Sequence, residues 1–174
     1  MYSKVNVVDI SLVKSGFVMF LSETEGGPVL PVVIGVSEAH SIILALNGWE
    51  AERPLSHDVM LQIILECEAD LEKVVIDRLE KDVFFARLYL NTKDGKTILD
   101  CRPSDAVALA LRKKIPILMA NNILESVNGE GAEFPADMID ECGLEAQLDL
   151  AIQEERYEDA ACLRDQLRNL SEAS

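Results

Sequence analysis

The chain has 174 residues, of which 49% are apolar, 27% charged and 5% aromatic, and this composition excludes a wholly disordered protein. It carries 31 acidic and 16 basic side chains, which gives a formal net charge of −15. Nonspecific binding to DNA or RNA depends largely on Lys and Arg side chains that replace counterions at phosphates. The charge therefore argues against a protein that coats nucleic acid.

The N-terminal residues and the cysteines predict a cytoplasmic protein. No run of about 18 apolar residues that could cross a membrane occurs, and the first residues lack the basic stretch and apolar segment of a signal peptide. The four cysteines are far apart and form no C-x-x-C pair, so neither a zinc ribbon nor a disulfide scaffold is expected. We predict reduced thiols at Cys67, Cys101, Cys142 and Cys162.

The acidic residues are unevenly distributed along the chain. Residues 137–174 hold 11 acidic and 3 basic side chains, whereas residues 1–136 hold 20 and 13. A stretch rich in turn-forming residues, Asn128–Pro135, lies just before this change. We therefore predict a main domain at 1–125, a connecting segment at 126–142 and a helical hairpin at 143–171.

The main domain begins with three short runs of apolar and β-branched residues, which predict an antiparallel meander of strands near 5–10, 17–21 and 29–34. Ser37 is a preferred N-cap residue and predicts a first helix that ends at Gly48. Ser56 starts a second helix in the same way. One face of this second helix carries Val59, Met60, Ile63 and Ile64.

A second meander follows, with strands predicted around 74–76, 84–90 and 97–101 and a hairpin turn at 91–95. Ser104 caps a third helix from Asp105 to about Lys114, whose small residues allow close approach to a sheet. A short strand at 115–119 contains Pro116, which favours a sheet edge or a strand start. The order of elements predicts an α+β fold with mixed or antiparallel sheets.

Polar side chains concentrate at the predicted starts of the helices, in the segments 34–40, 53–58 and 100–105. An Arg-Pro pair followed closely by Ser and Asp occurs in two of them. Serine caps and aspartates at the positive ends of helices explain part of this pattern. They do not explain the two arginines, or the pairing of Asp100 with Asp105 across one strand-to-helix turn.

A site for phosphoryl transfer explains these remaining features. Carboxylates from the three segments could hold Mg²⁺ or Mn²⁺, and arginines could bind a phosphate with two hydrogen bonds. No phosphate loop, dinucleotide fingerprint or nucleophile elbow occurs. We assign candidate metal ligands at Glu38, Asp100 and Asp105, catalytic groups at His57, Asp58, Asp100 and Asp105, and phosphate-binding groups at Arg53 and Arg102.

These segments resemble the bifunctional nuclease domain family. The matching stretches are Leu30–Gly35, Arg53–Asp58, Phe84–Leu88 and Asp100–Arg112. The resemblance implies a compact α+β domain that is oligomeric and to which cleavage of DNA and RNA has been attributed. It implies no firm set of catalytic residues, but its polar positions coincide with the candidate site.

The C-terminal segment Leu144–Leu170 resembles the UVR motif of the excision-repair proteins UvrB and UvrC. Its apolar residues recur at helical spacing in two stripes, which predicts a two-helix hairpin. Two such short helices bury too little surface to be stable alone, and the resemblance implies contact with an unknown protein. The candidate contact residues are Leu148, Ile152, Tyr157, Leu163 and Leu167.

Three functions are consistent with the sequence. The first is a metal-dependent nuclease acting on DNA or RNA. The second is a non-catalytic oligomeric protein that recruits a partner through the hairpin. The third is an enzyme for a small phosphate-containing ligand, which keeps the arginines without a polymeric substrate.

Overall fold

A computed structural model describes residues 1–13, 16–23, 29–81, 83–128 and Arg164. The described strands are β1 (Tyr2–Val13), β2 (Gly16–Ser22), β3 (Leu30–Ile34), β4 (Asp70–Glu80), β5 (Val83–Thr92), β6 (Gly95–Cys101) and β7 (Ile117–Ala120). The described helices are α1 (Val36–Asn47), α2 (Ser56–Glu66), α3 (Pro103–Lys113) and α4 (Asn121–Asn128). The predicted hairpin at 143–171 lies outside the described residues, apart from Arg164.

The strands form one mixed seven-stranded sheet in the order β3-β2-β1-β7-β4-β5-β6. Both predicted meanders are confirmed, and β7 joins them by pairing antiparallel with β1 and parallel with β4. Pro116 directly precedes β7, and its carbonyl accepts a hydrogen bond from the Val74 backbone N–H over 3.2 Å. The proline stands before the first paired residue, at the predicted strand start, so it interrupts no ladder although β7 lies at the centre of the sheet and not at an edge. The predicted α+β class is confirmed.

The core lies between this sheet and helices α1 and α3. In α3 the side chains of Ala106, Val107 and Ala110 are fully buried, as the small-residue face predicted. They belong to the same apolar cluster as Ile42 of α1 and Ile76 of β4. Small side chains let the helix axis approach the strands closely, and the ion pair between Arg102 and Glu38 shows that the start of α3 lies beside the start of α1.

The three helices begin earlier than their serines predicted. The N-cap residues are Gly35, Leu55 and Arg102, each in an extended backbone conformation, and none caps its helix with a side chain. Ser37, Ser56 and Ser104 are therefore helical residues, and their prediction as N-caps was wrong. In α3 the proline after Arg102 takes the first helical position, where its missing N–H costs nothing.

Helix α2 buries little of the apolar face that its sequence shows. Val59, Met60 and Ile63 are 41%, 42% and 57% exposed, so most of this face meets solvent, whereas Ile64 packs against the core. At the other end of the domain α4 was not predicted. It buries Ile123 and runs to residue 128, three residues into the segment that we assigned to the connection.

None of the helices in the described residues is long and apolar enough to span a membrane.

Candidate functional site

The candidate site forms where the N-terminal ends of α1, α2 and α3 converge. Glu38 lies in the first turn of α1, His57 in the first turn of α2, and Asp105 in the first turn of α3. Arg102 is the N-cap of α3. These four side chains form one continuous hydrogen-bonded cluster, which we call the Arg102 cluster.

His57 forms the buried end of the Arg102 cluster. Its Nδ1 lies 2.8 Å from the hydroxyl of Ser41, and its Nε2 lies 3.2 Å from Oδ1 of Asp105. Ser41 and His57 are only 2% and 6% exposed. The imidazole is therefore enclosed between a hydroxyl and a carboxylate, and it orients Asp105 without reaching solvent itself.

Arg102 forms the exposed end of the cluster. Its Nε and Nη2 donate to the two carboxylate oxygens of Asp105 over 2.8 and 2.9 Å, and Nη2 also donates to Oε1 of Glu38 over 2.6 Å. The arginine side chain is 65% exposed. Among the described residues Nη1 has no partner, so two N–H donors of a fixed guanidinium are available to a ligand.

Opposing effects set the pKa of Asp105. Burial alone raises it, but the hydrogen bonds from Arg102 and His57 and their positive charge outweigh burial, so the pKa lies below its usual range. The hydrogen bonds that Arg102 donates to Asp105 and Glu38 raise the pKa of its guanidinium. Asp105 and Arg102 are therefore a charged pair at neutral pH.

Asp58 belongs to a second, neighbouring pair. Its Oδ1 accepts from Nε of Arg112 over 2.6 Å, and its Oδ2 accepts from the Leu55 backbone N–H over 2.7 Å. Burial raises the pKa of Asp58, but these hydrogen bonds lower it further than burial raises it. Arg112 also donates to the carbonyls of Ser41 and Ala108. This pair ties α2 to α1 and α3.

Two predicted site residues lie apart from these groups. Asp100 is 66% exposed, and its Oδ1 lies 3.7 Å from Nη2 of Arg78, on β4. Arg53 is exposed and has no ion pair within the described part of the chain. Between Asp100 and Arg102 lies Cys101, a free thiol whose pKa is raised to about 12 by burial, with smaller contributions from Asp105 and Asp100.

The candidate metal ligands do not form a preformed cation site. Glu38 and Asp105 converge, but the Arg102 guanidinium lies between them and forms an ion pair with each. Asp100 is directed to Arg78. Within the described residues, no group of three or more His, Cys, Asp or Glu side chains is placed to hold a metal. As they are placed, these side chains therefore do not form a ligand set for Mg²⁺ or Mn²⁺.

Three residues that support the site were not assigned by sequence reasoning. Ser41 could have been noticed as a polar residue beside the buried Ile42 in an apolar helix. Arg112 stands inside the long family-like stretch but was given no role. At Gly35 a Cβ atom would meet the carboxylate of Glu38, so a larger residue there would make this side chain shift from its position beside Arg102.

Comparison with protein families identifies the class of the main domain. The model of the bifunctional nuclease domain matches residues 19–130, which is more than half of the chain. The chain belongs to this family, and the resemblance noted above is confirmed. The model of the UvrB/UvrC motif matches residues 143–173, where the hairpin was predicted.

Individual relatives agree with this assignment. An uncharacterized protein of Mycobacterium tuberculosis is 38% identical over 107 residues, which are 62% of this chain and 63% of that protein. Bifunctional nuclease 1 of Oryza sativa subsp. indica is 28% identical over 165 residues, 80% of this chain and 50% of that protein. Bifunctional nuclease 1 of Arabidopsis thaliana is 23% identical over 168 residues, 81% and 52% respectively. The chain thus spans between half and two thirds of these relatives.

Proposed function

We propose that this protein is a nuclease that cleaves phosphodiester bonds of DNA or RNA at the Arg102 cluster. Membership of the bifunctional nuclease domain family supports the reaction class. The single structural observation that supports the place is the exposed Arg102 guanidinium, which is fixed by two carboxylates and keeps Nη1 available.

Arg102 is the residue that contacts substrate in this proposal. Its free N–H groups donate to a nonbridging phosphate oxygen, and its charge stabilises the negative charge that builds up on the phosphoryl group during attack. Because the guanidinium is held in place before substrate arrives, it loses little conformational entropy when substrate binds. Asp105 and Glu38 position Arg102, and His57 positions Asp105.

Several finer points stay predictions. These are dependence on Mg²⁺ or Mn²⁺, catalytic roles for Asp58 and Asp100, and a contact between Arg53 and phosphate. Homo-oligomerisation and recruitment of a protein through the hairpin also stay predictions. The molar mass in solution tests the first of these two, and pull-down with hairpin variants tests the second.

The proposed site is tested by nuclease assays of the full chain on single- and double-stranded DNA and RNA. We expect Arg102→Ala to lower kcat/KM by about 10- to 100-fold, the loss of one or two charge-assisted hydrogen bonds in the transition state. Arg102→Lys should retain part of the activity, since it keeps the charge but not the fork of donors. Lys96→Ala, which removes an exposed cation on β6, is the matched control and should leave activity unchanged.

The outcomes separate the three functions. Absence of cleavage on every substrate contradicts the nuclease, and normal cleavage by Arg102→Ala contradicts the site. A lower melting temperature or altered oligomer size without any turnover supports the non-catalytic alternative. Turnover of small phosphate esters alone, insensitive to salt, supports the third function. Addition of EDTA followed by Mn²⁺ tests the metal dependence in the same assay.

A further inference from the structure

One cavity, whose lining includes none of the four residues of the Arg102 cluster, is used by none of the proposed steps. It measures about 680 Å³, within the range of roughly 300–1,000 Å³ that is typical of small-molecule sites. Its walls come from the C-terminal ends of α1 and α3 and from the loop and first turn of α2. We call it the Trp49 cleft.

The ends of two helices fix the position of Trp49 and Lys114 at this cleft. Gly48 ends α1 with a φ of 66°, and the Trp49 backbone N–H donates back to the Leu44 carbonyl over 2.9 Å. Lys114 ends α3 in the same left-handed conformation, with a φ of 58°, although it is not a glycine. Both helices end in the Schellman pattern, which orders the residues that follow.

Trp49 offers an aromatic surface to a ligand. It is the only tryptophan of the chain and is 57% exposed. The lining of the cleft also includes the apolar side chains of Leu44 and Leu111. A flat heterocycle can therefore stack on the indole and bury its faces.

The polar groups of the cleft include both hydrogen-bond donors and acceptors. Arg112 lines it with an Nη2 that has no partner in the described part of the chain, and Lys114 adds an ammonium group. The carboxylates of Glu50 and Glu52 line the same cleft and accept only. With Arg112 neutralised by Asp58, these charges do not favour a simple anion.

We propose that the Trp49 cleft binds one unstacked nucleobase, with guanine preferred. Guanine presents two N–H donors on one edge, which suit the carboxylates of Glu50 and Glu52, and two acceptors, O6 and N7, which suit Lys114 and Arg112. Stacking on Trp49 supplies the affinity that every base shares, and the polar groups supply the preference. The proposal names a base for the nucleic-acid substrate above and in that respect rests on the proposed function.

Fluorescence of the single tryptophan tests this proposal without turnover. The full chain is titrated with each of the four ribonucleoside 5′-monophosphates, ribose 5-phosphate and spermidine. We expect quenching by all four nucleotides, with guanosine monophosphate bound about tenfold more tightly than the others. A single-stranded oligothymidine that contains one guanine compares a base within a strand with the free nucleotide.

Variants assign the binding to the cleft. Lys114→Gly should weaken guanosine monophosphate about tenfold, and Glu50→Gln with Glu52→Gln should remove the preference for guanine. Lys81→Gly is the matched control, because Lys81 also has a positive φ, of 50°, in the turn between β4 and β5, away from the cleft. Trp49→Ala, followed by calorimetry, should abolish most binding.

Absence of binding by any nucleotide overturns the proposal, as does quenching by ribose 5-phosphate or by spermidine in place of nucleotides. Equal affinity for all four bases overturns the preference for guanine. If Lys114→Gly and Lys81→Gly weaken nucleotide binding equally, the proposal is also overturned, because binding would then not involve the cleft. If the parent chain binds nucleotides but cleaves no nucleic acid, the result contradicts the proposed function and leaves the Trp49 cleft proposal standing.

Discussion

His57 shows how the surroundings of a side chain change its assignment. In the sequence, His57 stands beside Asp58 and after Arg53, which indicated a catalytic histidine. In the structure its imidazole is enclosed between Ser41 and Asp105. General acid–base catalysis requires the group to reach the transferred proton directly or through one water. We therefore propose His57 as a positioning residue, and in the proposed function Arg102 is the residue that contacts substrate.

The depressed pKa values of Asp58 and Asp105 predict how stability depends on pH. In the folded chain the pKa of each carboxyl lies below its ordinary value of 3.8. Their contribution is thus fully present above pH 4 and is lost as the pH falls through the folded pKa values. Urea unfolding between pH 2 and pH 6 should show the free energy of unfolding falling steeply below pH 4.

Asp105→Asn should flatten this acid dependence and lower the free energy of unfolding at pH 7 by about 1–3 kcal/mol. Asp94→Asn, in the exposed turn between β5 and β6, provides the control. An acid dependence that is identical in Asp105→Asn and in the parent chain would contradict the assigned ion pair.

The helices place chemistry at both of their ends. Their N-terminal ends gather Glu38, His57 and Asp105 in their first turns, while the C-terminal ends of α1 and α3 form the Trp49 cleft. A lysine at the left-handed end of α3 is unusual, because a Cβ atom is strained there and glycine is preferred. Glycine at this position would end the helix without the strain, so helix termination does not explain the lysine.

Lys114→Gly should therefore stabilise the fold by about 1 kcal/mol, the relief of one left-handed residue. Lys81→Gly relieves the same conformation in the turn between β4 and β5 and should give a similar gain. Thermal unfolding measures both. A clear loss of stability in Lys114→Gly would mean that its side chain makes a contact that outweighs the strain.

At the scale of the whole molecule, β7 makes the two meanders one folding unit. It has only four residues, yet it lies between β1 and β4 in the centre of the sheet. Met119 of β7 is fully buried and belongs to the central apolar cluster. Both halves of the sheet therefore depend on a strand that comes after all of the other described strands in the chain.

Met119→Ala should lower the free energy of unfolding by about 2–5 kcal/mol, since it leaves a cavity where the two meanders meet. Met60→Ala deletes the same side chain on the exposed face of α2, where Met60 is 42% exposed, and should cost less than about 1 kcal/mol. Circular dichroism and Trp49 fluorescence should report one coincident transition in the parent chain. Separate transitions would show that the meanders unfold independently.

The strands, the α+β class and the family could be predicted from the amino-acid sequence, because alternating apolar residues, turn signals and the stretch Asp100–Arg112 are local patterns. The sequence also grouped seven residues into one candidate site: Glu38, Arg53, His57, Asp58, Asp100, Arg102 and Asp105. Only the tertiary structure decided which of them meet. That choice depends on how α1, α2 and α3 pack, and it turned Arg102 onto two predicted metal ligands and Asp100 towards Arg78. Helix ends that are distant in sequence likewise formed the Trp49 cleft, since no local pattern records which chain segments become neighbours.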